Sequence, residues 1–275
     1  MRVISLLTDF GNADEYVGVM KGVILSITPD VRLVDLCHEL PPGAVAAAGA
    51  MLEASWRFFP QGTVHLCVVD PGVGTERRVL ACSGQGHFFV APDNGLLGHL
   101  VRAGVITDAA SVEDPGFFLE QVSDTFHGRD VFAPVAARLA SGLSPSELGT
   151  PLYPGDLVFL DRPGPVRGEP HALAGQVIWV DRFGNLITDI RAEELGRLTG
   201  APGFGNVRVE AAGRPLGTLR RTYSDVKPGE LLALVGSRGL LEIACNMGSA
   251  QKVLKAKIGT KVVAFTGGEE KGEAL

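Results

Sequence analysis

Three short apolar runs alternate with two helical segments over the first 70 residues, and this alternation is what most constrains the fold. The runs Val3 to Thr8, Val31 to Asp35 and Thr63 to Val69 have the length and β-branched content of strands. The intervening segments, Glu15 to Thr28 and Ala44 to Phe59, have a helical repeat or an alanine-rich composition. The order β-α-β-α-β predicts an α/β domain with an open, mostly parallel sheet flanked by helices.

The same pattern continues to about residue 150. Further strands are predicted near Arg78 to Ser83 and His87 to Val90, followed by a short helix after Asp93-Asn94-Gly95. A clear helix begins near Asp130 and ends at Gly142. We therefore assign residues 1–150 to one α/β domain.

The composition changes after this point. Five prolines within 20 residues predict a Pro-rich linker over residues 151–170. Beyond it, short strand candidates predominate, at Gly175 to Asp181, Asn206 to Val209, Leu231 to Val235, Leu240 to Ala244 and Lys261 to Phe265. They predict a smaller, mainly β, barrel-like domain over residues 171–268, and the glycine- and glutamate-rich residues 269–275 are expected to form a frayed tail.

Charge and cysteine content restrict the function. With 25 basic and 31 acidic residues the net charge is −6, which argues against nucleic acid as the main partner. The four cysteines are widely spaced and form neither a zinc pattern nor a disulfide framework. No signal-peptide pattern or membrane-spanning apolar stretch is present, so we expect no membrane partner and a cytoplasmic location.

Two aspartates follow predicted parallel strands. Asp9 comes directly after the first strand and Asp70 after the third, and each leads into a glycine-bearing loop. Ligands of open α/β sheets bind at the carboxyl ends of the strands, so both residues are candidate ligand-binding groups at one edge. An aspartate in this position also commonly caps a turn, and the pattern alone leaves both interpretations open.

Three further segments combine polar groups with glycine. His127 precedes the helix that begins near Asp130, where the helix dipole favours a neutral imidazole, although a structural turn histidine fits the pattern as well. The segments 181–185 and 236–239 follow strand candidates in the second domain and are also compatible with ordinary hairpin turns. The sequence has no nucleophile elbow, Walker loop or dinucleotide fingerprint.

Six segments along the chain form a recognisable set: Leu-Thr-Asp-Phe-Gly at 7–11, Asp-Pro-Gly-Val-Gly-Thr-Glu-Arg at 70–77, Ala-Pro-Asp-Asn-Gly at 91–95, Phe-His-Gly-Arg-Asp at 126–130, Asp-Arg-Phe-Gly-Asn at 181–185 and Gly-Ser-Arg-Gly at 236–239. Together they resemble the S-adenosylmethionine hydroxide adenosyltransferase family, which is related to the fluorinases and chlorinases. The resemblance runs in order along nearly the whole chain. It implies hydrolysis of S-adenosylmethionine to adenosine and methionine, a homotrimer with active sites at subunit interfaces, and no cofactor or metal.

The resemblance also implies residue roles. The water-handling Asp, Arg and His of the family correspond to Asp70, Arg77 and His127, called the catalytic trio below, and the ribose-binding aspartate corresponds to Asp9. One carboxylate can accept hydrogen bonds from both hydroxyls of a vicinal diol, which suits that role. Relatives that use halide lack the trio, so its presence favours water as the nucleophile.

The second-domain segments are implied to hold the two ends of the substrate. Asp181 is expected to face the ammonium, Ser237 and Arg238 the carboxylate, and Asn185 and Phe183 the adenine. The halogenases carry an extra residue between the aspartate and Phe-Gly-Asn, so the position of Asp181 is less well defined. The tryptophan that packs on the substrate in fluorinase has no counterpart near residues 41–43, which leaves that wall unassigned.

Three alternatives remain at this stage. The first is a halide-using enzyme of the same fold, and the second is a trimeric protein that binds adenosine or S-adenosylmethionine without turnover. The third is metal-dependent hydrolysis by a group of Asp9, Asp70, Asp93 and His127. This alternative is disfavoured because a positively charged substrate gains little from a nearby divalent cation.

Overall fold

A computed structural model describes residues 2–161, 164–166, 169–199, 203–204 and 206–266. The chain divides into two compact units, Met1–Leu160 and Asp161–Leu275. The predicted frayed tail, residues 269–275, lies outside the described residues. Among the helices described, none is long and apolar enough to cross a bilayer.

The first unit contains a central sheet with helices packed against it. Its elements in chain order are β1 Arg2–Thr8, α1 Tyr16–Ile27, β2 Val31–Cys37, α2 Val45–Ser55, β3 Val64–Val68, β4 Val79–Gly84, β5 His87–Pro92, α3 Gly98–Arg102, β6 Asp108–Ser111, α4 Ala133–Ser141, α5 Pro145–Leu148 and β7 Thr150–Leu152. One π-helical turn, Gly128–Phe132, leads into α4. The strands and helices predicted for this region are thus confirmed, except that α4 begins three residues later than expected and β6, α5 and β7 were not predicted.

The seven strands lie in the order β2-β1-β3-β5-β4-β6-β7. Pairing is parallel across β2, β1, β3 and β5 and antiparallel from β5 to β7. The α/β fold class is confirmed, with the parallel pairs confined to the half that the β-α-β-α-β pattern builds. Thr8 pairs with Val68, so β1 and β3 end at the same edge.

The main core lies between this parallel half and the helices α1 and α4. All five residues of β3 are buried, which explains why the run is apolar on both faces. Helix α1 buries Val17, Met20 and Ile24, whereas Tyr16 and Val19 are exposed. The exposed Tyr16 lies beside the candidate site described below.

Residues 150–160 pack on the first unit. Strand β7 pairs with β6 at the edge of the sheet. The side chain of Arg78 binds Asp93 through Nε at 2.7 Å and the carbonyl of Asp156 through Nη2 at 2.8 Å. The other oxygen of Asp93 accepts a hydrogen bond from the amide of Val158 at 2.8 Å. The first half of the proline-rich stretch is therefore held against the sheet, and the two units divide after Leu160.

The second unit is mainly β. Its elements are β8 Gly164–Val166, β9 Glu169–Val180, β10 Leu186–Arg191, α6 Ala192–Thr199, β11 Val207–Ala211, β12 Arg214–Thr218, β13 Leu231–Val235, β14 Leu240–Cys245, α7 Ala250–Leu254 and β15 Lys261–Thr266. The five strands expected here are confirmed, and β8, β10, β12 and the two helices add to them.

The strands of this unit form an antiparallel sheet in the order β12-β11-β15-β9-β10-β14-β13, with β8 paired to β9. Arg220, just after β12, forms an isolated bridge with Leu234 of β13. Because this bridge joins the two ends of the sheet, the sheet curls into a nearly closed, barrel-like form. Its interior is filled by buried aliphatic side chains such as Val177, Leu186, Val209 and Ile243.

Candidate active site

The catalytic trio forms one connected hydrogen-bonded array. Arg77 binds Oδ2 of Asp70 through Nε at 2.8 Å and through Nη2 at 2.6 Å. The same Nη2 lies 2.9 Å from Nδ1 of His127, 50 residues further along the chain. The guanidinium also stacks over the ring of Phe132, with 4.9 Å from Cζ to the ring centroid. The structure therefore brings together the three residues that the sequence singled out.

The array fixes the tautomer of His127. Arginine has only donors, so Nδ1 of His127 accepts, and the proton of the neutral imidazole is on Nε2. Burial and the charge of Arg77 lower the pKa of His127 below its usual 6.5, although nearby carboxylates, first that of Asp70, act in the opposite direction. This lowering favours the neutral imidazole expected for His127, and its largest cause is burial.

Asp70 has one oxygen turned away from Arg77. While Oδ2 accepts both arginine contacts, Oδ1 accepts a hydrogen bond from the amide of Gly72 at 3.2 Å. A carboxylate oxygen has two acceptor sites, so Oδ1 retains capacity for one more donor. Asp70 can thus accept a proton from a bound water, and Nε2 of His127 can donate a hydrogen bond to the oxygen of that water.

Two features hold the loops that carry the trio. The fully buried Asp130 binds Arg129 through both oxygens and accepts a hydrogen bond from the amide of Ser123 at 2.9 Å, which fixes the turn before His127. Gly74 has φ +77°, and a Cβ there would lie 2.7 Å from the carbonyl oxygen of Asp124. The Asp70 loop can approach this turn only because residue 74 is glycine.

A cavity of about 270 Å³ opens beside the trio. Asp70 and His127 line it together with an aromatic cluster of Phe10, Tyr16 and Phe126. Tyr16 and Phe126 meet edge to face at 5.0 Å, and Phe10 lies about 6 Å from each ring. Sequence reasoning missed Phe10 and Tyr16 as cavity residues, and the signal available was a tyrosine at the start of a helix that follows the Asp9 loop.

Asp9 lies at the same sheet edge as Asp70. Its Oδ2 accepts a hydrogen bond from the amide of Gly43 at 2.7 Å, and Gly43 has φ +72° in the turn before α2. The half-buried carboxylate is therefore oriented by the segment 41–43, where the sequence left one wall of the site unassigned.

In the second unit, Asp181 shapes the loop between β9 and β10. Its Oδ1 accepts hydrogen bonds from the amides of Phe183 and Asn185, both at 2.9 Å, and Oδ2 accepts one from Nδ2 of Asn185 at 3.0 Å. These three bonds hold Asn185 buried while Phe183 remains 75% exposed. The carboxylate of Asp181 thus accepts three hydrogen bonds from its own loop.

A second cavity, of about 450 Å³, lies beside this loop. Phe183, Asn185, Tyr223 and Met247 line it, and the last of these is 88% exposed. Exposed apolar side chains beside a buried amide suit a flat heterocycle with polar edges. Tyr223 and Met247 were not predicted from the sequence, because neither lies in a recognisable motif.

Ser237 and Arg238 lie in the hairpin turn between β13 and β14. Ser237 is exposed, and Cζ of Arg238 stacks 4.6 Å from the ring centroid of Trp179. Behind the turn, Glu242 is buried and accepts a hydrogen bond from the hydroxyl of Tyr223 at 2.7 Å. Burial raises the pKa of Glu242, and burial together with Glu242 raises that of Tyr223 to about 12.

No group of three His, Cys, Asp or Glu side chains within the described ranges has the arrangement of a metal site. Of the four residues considered for such a site, Asp93 is bound by Arg78 and the amide of Val158, and Asp70 by Arg77. The carboxylates at this edge are thus partnered by protein donors.

Comparison with known proteins agrees with this geometry. Residues 4–149 match the SAM (S-adenosylmethionine) hydroxide adenosyltransferase N-terminal domain, and residues 175–263 match the corresponding C-terminal domain. The chain belongs to the SAM hydroxide adenosyltransferase family. All the predicted site residues lie within these two matched ranges.

Similar members of this family include hydrolases and a fluorinase. The chain is 40% identical to an (R)-S-adenosyl-L-methionine hydrolase of Salinispora arenicola, over 94% of this chain and 96% of the relative. It is 31% identical to a fluorinase of Nocardia brasiliensis, over 94% of this chain and 95% of the relative. A crystal structure of a conserved protein from Thermotoga maritima superposes with a TM-score of 0.83 at 37% identity, covering 95% of this chain and 99% of that one.

Proposed function

We propose that this SAM hydroxide adenosyltransferase family member hydrolyses S-adenosyl-L-methionine to adenosine and L-methionine. The observation that carries the proposal is the hydrogen-bonded trio of Asp70, Arg77 and His127, of which Asp70 and His127 line a cavity at the end of β3. The (R)-S-adenosyl-L-methionine hydrolase of Salinispora arenicola, 40% identical over nearly the whole chain, supports the same assignment.

The chemistry needs only a positioned and activated water. Water attacks C5′ of the ribose in line with the C5′–S bond, that bond breaks, and methionine leaves as a neutral thioether that needs no proton. Holding water and substrate at attack distance contributes several kcal/mol, and a positioned base contributes about 10²- to 10⁴-fold in rate. The site therefore requires a proton acceptor and orienting donors but no general acid.

We propose separate roles for the three residues of the trio, and the hydrogen bonds of Arg77 support this division. Asp70 accepts the proton of the attacking water at Oδ1, and His127 donates from Nε2 to the water oxygen. Arg77 holds both residues in place, and its charge favours a hydroxide-like nucleophile. The aromatic cluster of Phe10, Tyr16 and Phe126 lies on the same cavity, and aromatic faces stabilise a positive charge such as that of a sulfonium.

The substrate-binding roles remain those implied by the family resemblance, with one change. Asp9 binds the ribose hydroxyls, Asn185 and Phe183 bind the adenine, and Ser237 and Arg238 bind the methionine carboxylate. Asp181 acts mainly through the loop that presents Asn185, because its oxygens accept three hydrogen bonds there. Its charge still contributes an attraction for the ammonium.

We further propose a homotrimer with active sites at subunit interfaces, no cofactor and a cytoplasmic location. The four cysteines are free, which is compatible with a reducing compartment. Light scattering on the purified protein tests the trimer, and activity that persists after treatment with EDTA supports a reaction without metal.

Product analysis tests the function itself. The purified protein is incubated with S-adenosylmethionine in chloride buffer, and the nucleoside is identified by mass spectrometry. Adenosine supports hydrolysis, a 5′-halogenated nucleoside supports the halide-using alternative, and binding without any product supports a binding protein. A variant that replaces Asp70 with asparagine controls for contaminating activity.

A further inference from the structure

A buried histidine, His38, is hydrogen-bonded to the turn that carries Asp9. His38 follows β2, and its side chain is almost completely buried. Its carbonyl accepts a hydrogen bond from the amide of Gly11 at 2.7 Å, and its Nδ1 lies 2.8 Å from Oγ1 of Thr8, the fully buried last residue of β1. That hydroxyl also accepts from the amide of Phe10 at 3.3 Å. Two consecutive amides of the turn at residues 9–11 thus bind this pair.

The direction of these hydrogen bonds is determined by Asp35. Nε2 of His38 lies 3.1 Å from Oδ1 of Asp35, close but poorly aligned for a hydrogen bond. A carboxylate is an acceptor, so the ring proton belongs on Nε2 and Nδ1 accepts from the hydroxyl of Thr8. The lone pairs of that hydroxyl are then available to the amide of Phe10.

Asp35 is kept ionised at the far end of this chain of contacts. Its Oδ2 accepts a hydrogen bond from Nζ of Lys21 at 2.7 Å. Burial alone raises the pKa of Asp35, but the contacts with Lys21 and His38 outweigh burial and lower it. A charged pair on the surface therefore fixes the tautomer of a buried histidine next to the candidate site.

We propose that Thr8 and His38 are positioning residues that set the affinity for the nucleoside part of the substrate. They touch no ligand themselves. They hold the turn that presents Asp9 on one side and Phe10, a cavity residue, on the other. This inference rests on the proposed function, because it assumes that Asp9 binds the ribose.

The affinity for adenosine, measured by calorimetry, tests this proposal independently of turnover. Thr8→Val keeps the shape of the side chain and removes the hydroxyl. We expect adenosine binding to weaken about five- to tenfold, the loss of one or two hydrogen bonds. KM is expected to rise by the same factor while kcat changes by less than about twofold. Thr8→Ser is expected to restore both values.

Ser111→Ala is the matched control. Ser111 is also buried in the first unit, and its hydroxyl has no partner among the described residues. The Ser111→Ala variant is expected to bind adenosine with the affinity of the wild type. Adenosine binding by Thr8→Val that equals the wild type, or that is weakened no more than in Ser111→Ala, overturns the proposal.

Two variants of His38 give a second test that does not depend on the folding of Thr8→Val. In His38→Asn the amide oxygen replaces Nδ1, whereas in His38→Gln the amide replaces Nε2 and the contact with Thr8 is lost. We expect His38→Asn to bind adenosine more tightly than His38→Gln, and the reverse order contradicts the proposal. If the wild type binds adenosine but does not hydrolyse S-adenosylmethionine, the proposed function fails while these binding comparisons still decide the roles of Thr8 and His38.

Discussion

The guanidinium of Arg77 donates a hydrogen bond to Nδ1 of His127 across 2.9 Å. This contact makes His127 a neutral imidazole whose remaining proton, on Nε2, is available to a water molecule. Under the proposed function, the histidine orients the nucleophile, and the carboxylate of Asp70, bound to the same guanidinium, receives the proton. The proposal thus gives different tasks to two residues that sequence alone could not distinguish.

Replacement of the two residues by amides separates these tasks. Asp70→Asn removes the proton acceptor while keeping the shape, so we expect kcat to fall about 10²- to 10⁴-fold with little change in KM. His127→Gln keeps an N–H donor near the position of Nε2, so we expect a loss of only about tenfold. Steady-state adenosine formation measures both values. Equal losses would contradict this division of tasks, and a larger loss in His127→Gln than in Asp70→Asn would indicate that His127 is the base.

The pH dependence of turnover follows from the lowered pKa of His127. Burial and Arg77 lower this pKa below 6.5, so the ring is neutral at neutral pH. Protonation at Nδ1 places a donor against the donor of Arg77, and the trio separates. We expect kcat to stay constant from pH 8 down to about 6.5 and to fall only at lower pH. A half-maximal rate above that value, or the same acid limb in His127→Gln, would contradict this role.

The loop of Asp181 gives a prediction about binding. Because the carboxylate holds Asn185 in place, Asp181→Ala should weaken the binding of adenosine by about tenfold, and that of S-adenosylmethionine by at least as much, since the attraction for the ammonium is also lost. Arg238→Met is the matched variant, since a residue that binds the methionine carboxylate affects only S-adenosylmethionine. Calorimetry with both ligands measures the difference. Wild-type affinity of Asp181→Ala for adenosine would show that Asp181 contacts the ammonium alone.

Stability at low pH depends on a second buried histidine. His65 binds Oγ of Ser5 through Nδ1 at 2.7 Å and lies 3.2 Å from His87, and burial together with His87 lowers its pKa to about 3. In the unfolded chain His65 is protonated below about pH 6.5, whereas in the folded chain it stays neutral down to about pH 3. The free energy of unfolding therefore falls as the pH drops from about 6.5 towards 3. This single group contributes about 2–3 kcal/mol of that loss between pH 6.5 and 4.5.

The difference between wild type and His65→Gln isolates this contribution. Urea unfolding at pH 7 and pH 4.5 should show a smaller loss for His65→Gln by roughly 2 kcal/mol. The exposed His171 offers the control, because His171→Gln removes a histidine without disturbing buried contacts. Equal pH dependence of wild type and His65→Gln would show that His65 titrates in the folded state.

The parallel half of the first sheet was predictable because its signals are local. Buried strands such as β3 are continuous apolar runs, and the aspartates that follow β1 and β3 mark the sheet edge. The strands β6, β7 and β12 were not predicted, since they are short and their apolar residues alternate little. The partners of β6 and β7 also lie far from them in the sequence.

The candidate site was predictable in its residues but not in its hydrogen bonds. The family resemblance pointed to Asp70, Arg77 and His127, but only the structure shows that Arg77 lies between the other two. Similarly, Asp181 was recognised as a site residue, while the three hydrogen bonds that commit it to its own loop depend on the backbone conformation. Thr8 lies within the segment 7–11 but was not recognised as a positioning residue, and His38 lies in none of the six segments, because a buried polar contact has no sequence pattern.

Hydrolysis in water enriched in ¹⁸O tests the central claim most directly. The purified protein is given S-adenosylmethionine in labelled water, and the adenosine and methionine formed are examined by mass spectrometry. Attack of water at C5′ predicts adenosine that carries one ¹⁸O at its 5′ position, together with unlabelled methionine. Adenosine without the label, a 5′-halogenated nucleoside, or no product from protein that binds S-adenosylmethionine would contradict the account.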